Sequence, residues 1–103
     1  MAGNGKSDPF AKAVNRKTDR LLMFTGTECT HCHEMNPLVD KLEKEIGVKV
    51  EKLEVWHNSE NMAFLQKLDA GKCGGIPFFF NEKSGKWICG NTKYQKLKDW
   101  ALS

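Results

Sequence analysis

Apolar positions recur along this chain in two rhythms, and each predicts its own kind of element. Leu21-Leu22-Met23-Phe24-Thr25 is a continuous run too short for an ordinary helix, and it reads as a strand buried on both faces. Phe78-Phe79-Phe80 has the same character and predicts another strand. Over 48–55, Val48, Val50, Leu53 and Val55 are set against Lys49, Glu51, Lys52 and Glu54, which predicts a strand with a phase slip at Glu51-Lys52. Residues 86–90 predict a fourth strand, joined to the Phe strand by a hairpin loop over 81–85.

The helical rhythm fills the gaps. Asp8 as N-cap and Pro9 at the first helical position open a short helix that carries Phe10, Ala13 and Val14 and runs to about Lys17. From near Cys32, the residues Met35, Leu38, Val39, Leu42 and Ile46 share one face, and Gly47 ends that helix. Pro37 inside it costs about 3 kcal/mol or is absorbed as a kink. Asn58 or Ser59 caps a helix that turns Met62, Leu65 and Leu68 inward and stops at Gly71. Thr92-Lys93-Tyr94-Gln95 has the capping-box pattern and opens a last helix with Tyr94, Leu97 and Ala101 inward. The predicted order is αβαβαββα: an α/β domain over 8–103, with a mixed sheet of about four strands and helices on both faces, after a flexible lead over 1–7.

Composition narrows the function classes. A chain of 103 residues, 40 % hydrophobic, forms one domain with one modest core, which excludes a two-domain enzyme or a long solenoid. Four cysteines are well short of the density, more than about 8–10 %, that marks a disulfide-built scaffold. The core is therefore expected to hold the fold and the thiols to be free for chemistry. The net charge of +3 comes from lysines interleaved with glutamates, the mark of a solvated face rather than a nucleic-acid track. No run approaches the roughly 18 apolar residues of a membrane span, and Met1 to Ser7 lacks the apolar core of a secretory signal. The expectation is a cytoplasmic monomer in a reducing compartment, where stable structural disulfides are not expected.

The sharpest chemical feature is Cys29-Thr30-His31-Cys32, where the first buried strand hands over to a helix. Two intervening residues at a helix start bring two sulfurs within reach of each other without straining the rest of a fold. The first sulfur then meets unpaired backbone N–H groups and the positive end of the helix dipole, both of which favour thiolate over thiol. The second, one turn in, is expected to be more buried and to stay protonated.

This strand–CxxC–helix arrangement resembles the thioredoxin family. Three further matches follow in order: Pro37 at the place of the family's helix-kinking proline, Gly75-Ile76-Pro77 at the place of its cis-proline segment, and Gly90 at the glycine before the last helix. The resemblance covers residues 8–103 and implies a thioredoxin-like fold and thiol–disulfide oxidoreductase activity. It implies a Cys29 nucleophile, a resolving Cys32, and a cis Ile76–Pro77 bond beside the dithiol that positions the substrate. It also implies disulfide-containing protein substrates, a thioredoxin-type reductase or glutathione as electron donor, and no cofactor.

The departures from the family pattern carry information too. Glu28-Cys29-Thr30-His31-Cys32 replaces the usual Trp-Cys-Gly-Pro-Cys, and the buried acid of thioredoxins is Met23 here, which leaves the matching Lys52 without its partner. Histidine before the second cysteine also occurs in protein disulfide isomerases and in periplasmic disulfide oxidants. A protonated His31 stabilises the Cys29 thiolate and raises the reduction potential, Glu28 opposes it, and Thr30 completes the variable pair.

Other readings of the same residues stay open. Cys29-Thr30-His31-Cys32-His33 is also a literal haem-attachment pattern, with His33 as one axial ligand and Met35, Met62 or His57 as the other. Cys29, His31, Cys32 and His33 are metal-competent, although a zinc site would need Cys73 or Cys89 as well. Cys89 reads as a packing residue in its strand, and Cys73, just before the Gly-Gly-Ile-Pro segment, as an accessory thiol. Trp56 reads as core, with a place on the site rim as its alternative. A glutaredoxin-like, glutathione-dependent enzyme and a non-catalytic redox sensor or binding module are the competing functions.

Overall fold

Among the described residues, Leu21–Thr25 forms the first strand, β1, and its four leading side chains are buried because both faces of the sheet are covered. The structure, a computed structural model, describes residues 20–103; the helix expected over 8–17 lies outside the described residues. The remaining elements are α1 (Thr30–Ile46), β2 (Val50–Glu54), α2 (Ser59–Asp69), β3 (Phe78–Asn81), β4 (Trp87–Cys89) and α3 (Tyr94–Leu102). The four strands lie in the order β2-β1-β3-β4. β1 and β2 are parallel, as the intervening α1 crossover requires, while β1–β3 and β3–β4 are antiparallel.

Two apolar clusters sit on opposite faces of this sheet. Leu21 and Met23 of β1, Val50 of β2 and Phe79 of β3 pack with Met35, Val39 and Leu42 of α1 and Leu97 and Trp100 of α3. Leu22, Phe24 and Phe78 turn the other way and pack with Val55 and with Leu65 of α2. The pleat explains how three consecutive phenylalanines are all useful. Phe79 meets Trp100 edge-on at 5.5 Å, while Phe78 and Phe80 stack on the opposite face at 6.4 Å. The same logic resolves the phase slip in β2: Val50 belongs to one cluster, and Leu53 packs against the other.

The element bounds differ from the sequence expectation where capping decides them. α1 begins at Thr30, ahead of its first inward residue, because Cys29 takes the N-cap position. α1 runs through Pro37, so the His33 carbonyl has no i+4 N–H donor there. α2 is capped by the Asn58 side chain, which accepts from Asn61 N, and it closes at Ala70 with φ 47°, just before Gly71. The capping box expected at Thr92 does not form. The chain enters α3 one residue later, Lys93 is the N-cap, and no side chain caps that end.

Candidate active site

The turn from β1 into α1 closes when Cys29 N donates to the Gly26 carbonyl at 3.1 Å. Cys29 is then extended, with φ −85° and ψ 110°, and its sulfur accepts the Cys32 N–H at 3.2 Å. That N–H is one of the donors a helix start leaves without an intrahelical partner. Cys29 and Cys32 are joined as a disulfide across a Cα separation of 5.2 Å. Cys29 is 6 % exposed and Cys32 only 1 %, so an incoming group reaches Cys29 first. The Cys29 sulfur thus sits at the positive end of the α1 dipole. Cys32 instead shares an apolar cluster with Met23 and Met35. Met23 is fully buried and lies in register with Lys52, whose side chain is exposed.

Two segments converge on this turn. The Ile76–Pro77 peptide is cis, Pro77 is buried, and Ile76 packs against both core clusters. Trp56, expected in the core, is 48 % exposed instead. The physical reason is Gly26: a Cβ there would lie 2.6 Å from Trp56 Cδ2 and 2.8 Å from Ile76 Cδ1. The bare glycine is a shelf at the end of β1 on which both side chains rest, so the indole covers the turn rather than entering a core. Beside it, Trp56, Ile76, Met62 and Asp69 help to line a groove of about 300 Å³.

Polar groups pin the same turn. Glu54, at the end of β2, accepts from Thr27 N at 3.0 Å, from the Thr27 hydroxyl at 3.2 Å and from His57 N at 2.7 Å. Desolvation pushes its carboxyl up, but these donors together hold it below the ordinary carboxylate range. His57 Nε2 lies 2.8 and 2.9 Å from the two oxygens of Glu28, and that hydrogen bond, with the charges of Glu28 and Glu54, raises the His57 pKa. His33 Nε2 donates to the Thr27 carbonyl at 2.6 Å. Nδ1 of His31 lies 3.2 Å from both Glu34 Oε1 and Asn91 Nδ2, accepting from Asn91 when it carries no hydrogen and donating to Glu34 when it does. Asn91 foremost, and His31 after it, lower the Glu34 pKa. Thr30 is exposed beside them.

The residues of the metal and haem alternatives are thus directed to different partners: the two cysteines to each other, His31 to Asn91 and Glu34, and His33 to Thr27. Among the described residues, Glu28, Glu54 and His57 bring ligand atoms within 4.8 Å of one another, and these atoms already hydrogen-bond the turn. Glu54, Thr27 and Asn91 carry no motif, and only the folded geometry singles them out.

The expectation of free thiols is overturned at the other two cysteines. Cys73 and Cys89 form a disulfide with a Cα separation of 5.5 Å, within the usual range for such bonds. Cys89 is exposed rather than a packing residue, and Cys73 is half-buried. The reason lies in the register: Cys89 pairs with Phe78, which places the end of β4 beside the loop that enters β3.

No helix among the described residues is long and apolar enough to cross a membrane. A model of the Thioredoxin family matches residues 4–103. A search of curated proteins finds no match. A family match over nearly the whole chain, together with a four-stranded mixed sheet and a Cys-x-x-Cys pair at the head of α1, leads to one conclusion: the chain belongs to the thioredoxin family.

Proposed function

We propose that this protein is a thiol–disulfide oxidoreductase acting on protein disulfides through Cys29 and Cys32. The observation that carries the reading is the Cys29 sulfur at the N-cap of α1, bonded to Cys32 and holding a backbone N–H at 3.2 Å. In the reduced enzyme the Cys29 thiolate attacks one sulfur of a substrate disulfide. The substrate S–S bond breaks, a mixed disulfide forms, and the departing thiolate takes a proton. Cys32 then loses its proton and attacks Cys29 Sγ, closing the Cys29–Cys32 bond and releasing the second substrate thiol. Two electrons pass to the substrate, and an external thiol donor restores the dithiol.

Ile76 and Pro77 position the substrate in this scheme, with the Ile76 backbone offered as a strand-pairing edge. His31 tunes the thiolate, opposed by Glu28 and accompanied by Thr30. The apolar floor at Met23 supplies no carboxylate for the proton of Cys32. The expected result is reduction of an insulin-type protein disulfide by the wild type, lost in Cys29→Ser. Equal inactivity of both proteins would point instead to a redox sensor or binding module. Turnover with glutathione alone against turnover with a thioredoxin-type reductase identifies the donor class. The reduction potential of the pair is expected above the roughly −270 mV of thioredoxin. A lower value removes the role given to His31.

A further inference from the structure

The second disulfide ties the loop after α2 to the end of β4, beside a backbone hydrogen bond between the same two segments. Cys73 lies on the loop leaving α2, and this loop is anchored to α2 itself: Asp69, only 8 % exposed, accepts from Cys73 N at 2.6 Å and from Gly74 N at 2.8 Å. Cys89 ends β4, the edge strand of the sheet. The adjacent Gly90 N donates to the Pro77 carbonyl at 2.8 Å. Residues 74–77 therefore span a ring closed by the Cys73–Cys89 bond on one side and the Gly90–Pro77 hydrogen bond on the other. Two of the four residues in that span are glycines. Gly74 has φ 80°, and a Cβ on either glycine would touch nothing within 4 Å, so side-chain packing in this stretch begins only at Ile76.

We propose that Cys73–Cys89 is a second thiol–disulfide site, whose closed state braces the α2 wall and the 74–77 segment against β4 and thereby sets how Ile76 is presented at the active site. Its reaction partner is a dithiol, which reaches the exposed Cys89 side. One reductant thiolate attacks Cys89 Sγ, the Cys73–Cys89 bond breaks, and Cys73 leaves as a thiolate and takes a proton. The second reductant thiolate attacks the mixed disulfide and frees Cys89, which is protonated in turn. The reductant ends as a disulfide, and two electrons have entered the protein. With the bond open, the loop still moves with α2 through Asp69, but one of its two ties to β4 is gone. The groove lined by Trp56, Ile76 and Asp69 is then free to widen.

This inference rests on the oxidoreductase reading only for its effect on activity, and its test separates the two. Cys29→Ser/Cys32→Ser leaves Cys73–Cys89 as the one reducible bond, and dithiothreitol is the probe. Hydrogen exchange at the amides of Gly74, Gly75 and Ile76 is expected to quicken by about tenfold or more on reduction through local opening, while β1 and α1 quicken only as far as the loss of global stability accounts for. Equal exchange in the oxidised and reduced forms overturns the proposal. In a second arm, Cys73→Ser/Cys89→Ser with the Cys29–Cys32 pair intact is expected to raise KM for a disulfide-bonded peptide about fivefold, with the effect on KM rather than kcat. An unchanged KM overturns it. Should that variant lose its helical circular dichroism, the exchange arm decides alone. A wild type unable to reduce any disulfide ends the oxidoreductase reading and leaves the exchange arm to decide the brace.

Discussion

Gly26 and Trp56 are coupled through one missing carbon atom. The indole lies where a Gly26 side chain would begin, and Ile76 closes on the same point from the other side. Gly26→Ala must push both away, and overpacking of this kind costs about 1–3 kcal/mol. The expected outcome is a lower urea midpoint together with a change in Trp56 fluorescence, whereas an alanine accommodated in place would leave both unaltered. The charged neighbours make a separate, pH-dependent statement. Because Glu28 raises the His57 pKa above 6.5, the stability from this pair is fully present below that pH and is lost as pH rises through the raised value. Glu28→Gln is expected to bring the His57 pKa back toward 6.5 in an NMR titration; an unshifted titration would show that the contact is absent in solution. Only the rim position, kept as the alternative for Trp56, was legible in the sequence. Glycine after a strand is ordinary punctuation, and a tryptophan beyond a strand reads as core until the surface that receives it is known.

Elements whose pattern repeats were legible, and those whose ends depend on a single contact were not. The buried run of β1 and the 3.6-residue rhythm of α1 needed no tertiary information. α3 did: its capping box failed, and Trp100, absent from the expected inward set, is 4 % exposed and packs on Phe79. Beyond that packing, the end of α3 is tied down by Asn81, which reads as the first residue of a hairpin loop but ends β3 with only 1 % exposure. Its Nδ2 donates to the Trp100 carbonyl at 2.9 Å, and its Oδ1 accepts from Lys83 N and Ser84 N at 2.9 and 3.2 Å. One side chain thus joins the hairpin to the end of the last helix. Asn81→Ala removes these three bonds at once and is expected to cost about 1–3 kcal/mol. Asn81→Asp keeps the acceptor for the hairpin but turns a carboxylate oxygen toward the Trp100 carbonyl, so it is expected to be worse. Denaturant unfolding ranks the two; an aspartate variant as stable as wild type would remove Asn81 as the joint.

At the scale of the whole molecule, the sheet order explains what composition had concealed. Four cysteines in 103 residues imply a fold that stands on its core, and the core is indeed split over both faces of the sheet. Yet the pairing of Cys73 with Cys89 follows from β3 and β4 lying side by side in a register that no local pattern reveals. The two disulfides differ in what they constrain. Cys29–Cys32 closes a sequence separation of 3, inside one helical turn that α1 already orders, whereas Cys73–Cys89 closes a separation of 16 across β3 and the hairpin. On the loop-entropy model, a loop of the larger size is worth about 3 kcal/mol, which corresponds to a Tm change on the order of 10–20 °C in a domain this small. Cys73→Ser/Cys89→Ser is therefore expected to melt well below Cys29→Ser/Cys32→Ser under oxidising conditions. Excess dithiol should bring the second variant down to the level of the first. If the two variants melt together, the longer bridge contributes nothing to global stability, and its effect would then have to lie in the local geometry of 74–77 that hydrogen exchange reads.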